Sequence, residues 1–339
     1  MVFNKKSIVL LILVSIVMVG LMLSGCGAKD SQPAPSGGDQ AVQDDFPNKP
    51  ITYVQHNEPG SGGDINARTV ARLAEYYLGV PINFVTRPGG NGADAINFAF
   101  RQPRDGYTIM HWTASHSGYF NMPGYPATAD DFDYIINFLD VAYILAVNTS
   151  SPIQNIEEFV QYARENPGAI SISGSRIGSI HHQNLFALTA EADIDVTYVP
   201  QQGGAAALAA ALGGHVTGLV YRPADMLEYV KDGSLRPLVI FDTKRDPEYP
   251  DTPTIAEAGF EMQPLLQKNG LMIPKGVPEN RKQIIYDAFY KAMDEPEWQD
   301  FLEQTSQADG RTSSEEMTEM FLKEVEFANH YLKEIGVIQ

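Results

Sequence analysis

The chain of 339 residues contains one cysteine, Cys26. No disulfide can form within it, and no multi-cysteine metal site can be built. Positive charge is scarce: 24 Lys and Arg stand against 42 Asp and Glu, a formal net charge of −18. That balance excludes nucleic acid as a partner, because neutralising phosphates takes a basic surface. It also excludes docking on anionic lipid through a polybasic face. Nucleotide-type phosphate loops are missing, since neither G-x-x-x-x-G-K-[ST] nor a suitably placed G-x-G-x-x-G occurs. The G-x-S-x-G hydrolase elbow is missing too. His181 and His182 are adjacent, and adjacent helical residues face different ways, so they lack metal-ligand spacing. Beyond Leu23 no apolar run approaches the ~20 residues needed to span a bilayer. These absences point away from an enzyme and leave no cofactor and no metal to expect.

What is present begins with an address. Lys5 and Lys6 precede an apolar run from Ile8 to Leu23, broken by Ser15 and Gly20, and Leu23-Ser24-Gly25-Cys26 follows. A positive start, an apolar stretch and small residues before a cut describe a secretory signal. The last four residues resemble a bacterial lipobox, whose Cys is lipidated and becomes the new N-terminus. An uncleaved membrane anchor with an incidental cysteine is the alternative. Cleavage before Cys26 leaves 314 residues (339 − 25) and a charge of −20, because two lysines and no acid are lost. Residues 27–46, with Pro33, Pro35, Ser36, Gly37, Gly38 and four Asp, read as a flexible polar tether. The organisation expected is a signal peptide over 1–25, the lipidated Cys26 with its tether over 26–46, and a folded body from about Pro47.

The body alternates strand and helix patterns. Strands are expected at Pro50–Gln55, Ile82–Val85 and Tyr107–His111. Helices are expected at Asp64–Leu78, with Asp64 as N-cap and Gly79 as stop, and at Ala93–Arg101. The rhythm resumes after Tyr143, with strands at Ile144–Val147, Ile170–Ser173, Val196–Val199 and Val216–Tyr221 and helices at Asn155–Asn166, Ile180–Glu191 and Ala205–Leu212. This order implies parallel sheets flanked by helices, and two runs of it imply two α/β lobes. The C-terminal part is mostly helical. Glu279–Met293 follows Pro278, and Ser313 with Glu316 forms a capping box for a helix reaching about Ile335. Its core stripe is expected to use Met317, Phe321, Val325, Phe327, Ala328 and Leu332.

Ligands of open parallel sheets bind beyond the carboxyl ends of the strands. Two strand-to-helix loops there carry glycines and hydroxyls. The first is Glu58 to Gly63, and the second is Gly174-Ser175-Arg176-Ile177-Gly178-Ser179. Glycines let backbone N–H groups approach a ligand, and a helix N-terminus favours an anion. One such loop per lobe suggests a carboxylate clamped in a cleft; tight turns alone are the other reading. His111, Trp112 and His116 cluster after a strand, either lining that cleft or sitting as partly buried polar aromatics.

Four segments in order resemble the substrate-binding receptors of the tripartite tricarboxylate transporter family, also called Bug or TctC-like proteins. They are Pro50-Ile51 with Gly60-Ser61-Gly62-Gly63-Asp64 and Arg68; Arg87-Pro88-Gly89-Gly90-Asn91-Gly92 with Asp105-Gly106-Tyr107-Thr108; Gly178-Ser179-Ile180-His181-His182 with Val199-Pro200 and Gly203; and Pro253-Thr254-Ile255-Ala256-Glu257-Ala258-Gly259. The resemblance runs from about Pro47 to the C-terminus. It implies an α/β, two-lobed type II periplasmic-binding-protein-like fold, each lobe a sheet flanked by helices, with the ligand cleft between lobes. Lobe 1 would hold 47–147 plus 268–339 and lobe 2 would hold 148–267. Hinges would lie near Val147–Ser150 and Gln267–Gly270, with Gly270 as swivel. The implied function is capture of a small carboxylate by lobe closure and delivery to one large and one small transporter membrane subunit, with no chemistry on the ligand. The ligand-binding residues expected in this sequence are Asn57, Glu58, Gly60, Ser61, Gly62, Trp112 and Ser115 in lobe 1, and Ser175, Arg176, Gly178, Ser179, Gln201 and Tyr221 in lobe 2. A monomer, held by lipid at Cys26 on the extracytoplasmic face of the membrane, is expected. A ligand sensor signalling to a membrane kinase is the alternative.

This chain departs from the family pattern in ways that bear on the ligand. Asn57, Glu58 and Pro59 stand where the family has an aromatic and then small residues. Arg176 stands where glycine is common. Val199-Pro200-Gln201-Gln202-Gly203 replaces Val-Pro-Tyr-Lys-Gly, and Thr217 replaces an Asp. These changes weaken citrate or a simple dicarboxylate as ligand. Glu58 and Arg176 on opposing loops could read an amino group and a carboxylate; alternatively Glu58 faces solvent and Arg176 pairs with a surface acid.

Overall fold

The computed structural model describes residues 45–339; Cys26, the expected signal and nearly all of the expected tether lie outside the described residues. Two sheets organise the body. The first has the order β11-β4-β10-β3-β1-β2. Its parallel part is β1 (Ile51–Gln55), β2 (Ile82–Thr86) and β3 (Thr108–Thr113). β10 (Gln267–Pro274) lies antiparallel between β3 and β4 (Phe132–Val141), and β11 (Ala308–Asp309) closes the edge. The second has the order β7-β6-β8-β5-β9. In it β6 (Ser171–Gly174) runs parallel to β7 (Thr197–Pro200) and β8 (Gly218–Tyr221), and β5 (Tyr143–Asn148) runs antiparallel to β8 and β9 (Leu235–Phe241). Among the described residues no helix is long and apolar enough to cross a membrane.

The chain crosses between sheets earlier than the sequence suggests. β5 pairs only within the second sheet, so it belongs to lobe 2, and the crossing is the single residue Ala142 between β4 and β5. The boundary placed at Val147 and the hinge placed at Val147–Ser150 are therefore corrected. β4 leaves almost no outward-facing polar positions: eight of its ten residues are buried. Without alternation it has no period-2 signature, and it runs into β5 without a turn residue to mark the change. The chain re-enters the first sheet at Gln267. Gly270 is not a swivel but sits mid-strand, where a Cβ would come 2.1 Å from the Ile136 carbonyl oxygen. It is needed for close strand approach beside the register shift at Asn269/Gly270.

Helix α1 (Gly62–Leu78) starts two residues before the expected Asp64. Ser61 is the N-cap, with extended backbone (φ −69°, ψ 160°). Asp64 falls inside the first turn, where the helix dipole favours a carboxylate. From there it accepts the Gly60 N–H at 2.9 Å and pairs with Arg68 at 2.9 Å. At the far end Gly79 takes a left-handed conformation (φ 70°) and donates to the Glu75 carbonyl. α1 and α8 (Glu279–Ala292) cover one face of the first sheet through Val70, Ala74, Ile285 and Phe289. α2 (Ala93–Phe100) and the C-terminal helix α10 (Ser314–Glu334) cover the other through Ile96, Met317 and Phe321.

The capping box of α10 is present, with Ser313 and Glu316 bonded reciprocally. Its stripe differs from the expected one. Met317, Phe321, Ala328 and Leu332 are buried, Val325 and Phe327 are half-buried, and Glu324 and Tyr331 occupy buried positions. Glu324 faces the Lys268–Asp140 ion pair (3.1 Å) that ties β10 to β4. Burial, opposed by Lys268 and reinforced by Asp140, pushes its carboxyl up to about 8. Charging it costs more than the single ammonium returns, because Asp140 already uses that ammonium.

The folded chain thus keeps a proton on Glu324 at pH values where the unfolded chain has released it. Stability is lost as pH rises from the ordinary carboxyl range to about 8. Glu324→Gln keeps the neutral shape, so its stability relative to wild type should grow by about 1 kcal/mol per pH unit across that window and then level off. Thermal melts of both proteins between pH 5 and pH 9 check this, and an offset independent of pH would refute it.

Candidate ligand-binding cleft

The loops after β1, β3, β6, β7 and β8 meet at the seam between lobes. On one side of the seam lies a cavity of about 560 Å³. Lobe 1 lines it with Glu58, the turn Pro88-Gly89-Gly90 and the segment Met122–Tyr125; lobe 2 lines it with Arg176 and Gln202. Its lining holds one acid and one base, Glu58 and Arg176. Glu58 is exposed at the mouth and Arg176 is half-buried. Burial raises the nearby Tyr119 phenol, and the Arg176 charge and hydrogen bond work against that rise.

Histidines behind the cleft add no charge. His56 packs against His111 (ring centroids 5.2 Å apart) and edge-on to His116 (4.5 Å). Burial is the largest cause of their lowered pKa values: His56 well below the ordinary imidazole value, His111 to about 3, His116 to about 4. Repulsion among the rings, and for His56 the Arg176 charge, adds to it. In lobe 2 burial lowers His181 and His182 to about 4. His116 Nδ1 lies 3.0 Å from the Thr113 carbonyl and 3.2 Å from its N–H, and Nε2 is buried with no partner among the described residues. Ser61 Oγ and Ser173 Oγ are likewise buried without one. Ser179 Oγ, at the start of the helix Ile180–Ala192, is buried in the same way. Among the described residues no three His, Cys, Asp or Glu converge for a metal.

The candidate residues sort by position. Glu58 and Arg176 line the cavity. Asn57 braces the loop from behind: its amide donates to Gln55 (3.3 Å) and fills the space beside Gly63. Gly60 makes a left-handed turn (φ 78°). Ser61 caps α1, and Gly62 lies against the Arg222 guanidinium of lobe 2, 2.3 Å from where a Cβ would sit. Ser115 Oγ donates to Gln267 (3.0 Å) and receives the Ile180 N–H (3.4 Å), so it stitches the seam. The Ser175 carbonyl accepts the Tyr198 hydroxyl at 2.6 Å. Gly178 adopts φ 86°, and Ser179 is the buried N-cap of α5 (Ile180–Ala192). Gln201 donates its N–H to Gly174 (3.0 Å), while its neighbour Gln202 lines the cavity. Tyr221 is packed on Gly204 and beside His181, away from the cavity lining.

Trp112 requires correction. It is fully buried, edge-on to Phe321 (5.0 Å) and Tyr134 (5.9 Å), and so belongs to the core beneath α10. β3 is buried on both faces, so strand position alone did not separate core from cleft. Arg222 was missed. It directly follows β8 and precedes Pro223, the first residue of α7 (Pro223–Lys231), which is the same strand-to-helix position that singled out the other loops. It pairs with Asp225 at 2.5 Å.

Five neutral histidines make the fold acid-sensitive. Between the ordinary imidazole pKa and about 4, the unfolded chain takes up protons that the folded chain refuses, so stability falls as pH falls. Each contributes up to about 1.4 kcal/mol per pH unit. Glu324 pulls the other way, but one group cannot offset five. The melting temperature should drop steeply from pH 7 to pH 5, and His116→Gln should flatten the slope. A melting temperature unchanged over that range would overturn this account.

The family described as "Tripartite tricarboxylate transporter family receptor" matches residues 53–337. A Cupriavidus necator protein encoded in the gbd 5′ region is 31% identical over 274 residues, 78% of this chain and 80% of that one. Protein BugT of Bordetella pertussis is 28% identical over 239 residues, covering 69% and 73%. A solved structure described as a periplasmic transporter superimposes with a TM-score of 0.76 at 26% identity, covering 86% of this chain and 99% of that one. A Rhodopseudomonas palustris protein solved with adipate shares the fold, with a TM-score of 0.75 at 23% identity over 85% and 98%. The chain belongs to the tripartite tricarboxylate transporter receptor family and is an extracytoplasmic solute-binding receptor, not an enzyme.

Proposed function

We propose that this receptor captures a small ligand bearing both a carboxylate and an amino group, closes its lobes on it and presents it to transporter membrane subunits. The observation that carries the ligand class is the cavity with Glu58 on one lobe and Arg176 on the other. Related folds solved with malate and with adipate support a carboxylate ligand. A guanidinium takes a carboxylate bidentately. A second carboxylate beside Glu58 would be repelled, whereas an ammonium would be held. Gln202 and the backbone of Gly89 and Gly90 line the rest of the cavity. The protein works as a monomer. Its first 25 residues are a signal peptide, and Cys26 carries the lipid that holds the tether to the outer face of the cytoplasmic membrane.

The test is a thermal-shift screen of protein freed of copurified ligand, against amino acids, dicarboxylates, tricarboxylates and aromatic acids. A ligand at 100 times its Kd stabilises by about 2.7 kcal/mol, which is roughly 5–10 °C at this size. Arg176→Ala should weaken binding of every acid by about 10- to 100-fold, the worth of a charge-assisted bond. Glu58→Ala should weaken amino acids alone. Unchanged amino-acid affinity in Glu58→Ala would sink the zwitterion reading. Lipidation is checked separately: Cys26→Ser should abolish incorporation of labelled fatty acid and release the protein from membranes.

A further inference from the structure

The lobe 2 ligand loop, Gly174–Ser179, is held from both lobes. From its own lobe, Tyr198 donates to the Ser175 carbonyl (2.6 Å) and Gln183 donates to the Gly178 carbonyl (2.8 Å). From lobe 1, the hydroxyl of Tyr331 on α10 accepts the Gly178 N–H (3.1 Å). That hydroxyl also hydrogen-bonds His182 Nδ1 at 2.8 Å. His182 in turn stacks flat on Tyr198, with ring centroids 3.9 Å apart and planes 5° apart. Both ends of the turn that carries Arg176 therefore trace to one phenol: Gly178 directly, and Ser175 through His182 and Tyr198.

The same loop touches lobe 1 backbone to backbone. A Cβ built on Gly118, in α3 (His116–Tyr119), would lie 2.1 Å from the Gly178 carbonyl oxygen, 2.8 Å from its carbon and 2.9 Å from its Cα. None of these atoms can swing aside. Gly118 has no positive φ, so its own helix would accept alanine. The nearest obstacle to a side chain there is the approach of the other lobe. Ser117 and Ser115 flank this contact and bond Gln183 (3.1 Å) and the Ile180 N–H (3.4 Å) of lobe 2.

We propose that Tyr331 is a positioning residue that sets the ligand loop from lobe 1, and that it does so only when the lobes are docked at Gly118–Gly178. Presentation of Arg176 to the cleft is then a product of closure rather than a fixed feature of lobe 2. This rests on the reading that Arg176 faces the ligand, but its test does not need the ligand.

The measurement is amide hydrogen exchange of the ligand-free protein, read on peptides covering Gly174–Ser179. Tyr331→Phe keeps the ring in the core and removes only the hydroxyl. It should speed exchange in the loop roughly five- to tenfold, the loss of one ordinary hydrogen bond, while β10 and the rest of α10 keep wild-type protection. Gly118→Ala should release the loop to a similar extent with Tyr331 intact, because it props the lobes apart. The double variant should exchange no faster than the faster single one, since both remove the same lock. Exchange that rises equally throughout α10 in Tyr331→Phe would mean a packing role and overturn the proposal. So would a loop left protected in Gly118→Ala, or additive effects in the double variant. If Arg176→Ala leaves binding unchanged while the loop responds as expected, the functional reading fails and the positioning role stands.

Discussion

Two lobes that must part and close can share only a small apolar core, and here it lies at the end of α10, where Ala328, Tyr331 and Leu332 pack with Ile177 and Phe186 of lobe 2. Exposing a larger one would cost about 25 cal/mol for every Å² of apolar surface wetted, and apolar contact alone would not fix how the lobes meet. The rest of the seam uses neutral hydrogen-bonding groups and bare backbone. Ser115, Ser117, Gln183, His182 and Tyr331 supply directional bonds, and Gly118 against Gly178 supplies a contact without side-chain slack. Each bond can be exchanged for water on opening, and each has one geometry on closing. The neutral histidines follow from the same design. A charged imidazole in these surroundings would need a counter-ion across the seam.

The charge distribution of the whole chain and that of the cleft pull in opposite directions. With 42 acids against 24 bases, the molecule as a whole repels an anion. At physiological salt that repulsion is screened beyond ~8 Å. Contacts at van der Waals range decide binding instead, and in the cavity lining Arg176 is the cationic donor. Arg222 brings a second guanidinium to the start of α1 but arrives neutralised by Asp225. Arg176 has no such acid among its neighbours in the cavity except Glu58 on the opposite wall.

The two-lobe plan was legible because strand-to-helix loops advertise themselves through glycines and hydroxyls, and because caps such as Gly79 and Ser313 are local chemistry. What escaped was non-local. β4 and β5 read as one buried run, and only their pairing partners show that Ala142 divides two sheets. Trp112 and His111 are neighbours on one strand, so they face opposite sides: one meets Phe321 in the core, the other stacks on His56 behind the cleft. Deciding which side faces the cleft takes the sheet order. Tyr331 sits on a helix whose apolar stripe explained itself as packing, so nothing local marked its hydroxyl as a partner for Gly178. The Pro253–Gly259 segment shows the converse. It carries family resemblance, yet its Thr254 and Glu257 bond each other and its Ile255 bonds Ile240 on β9. A recognisable segment can be architecture.

Glycines that look alike in sequence are required here for different physical reasons. Gly60 and Gly178 need left-handed φ, so a side chain there strains the chain whether the lobes are open or closed. Gly270 needs proximity to a neighbouring strand, so a side chain there would disturb lobe 1 in every state. Gly62 faces the far end of a flexible Arg222, which can move aside. Gly118 alone in this group combines a φ that is not positive with the other lobe's backbone as the nearest atoms to its Cβ position. A side chain at Gly118 would spare the fold and act on closure alone. In a protein whose function is closure, that separates a residue kept for stability from one kept for the difference between two states.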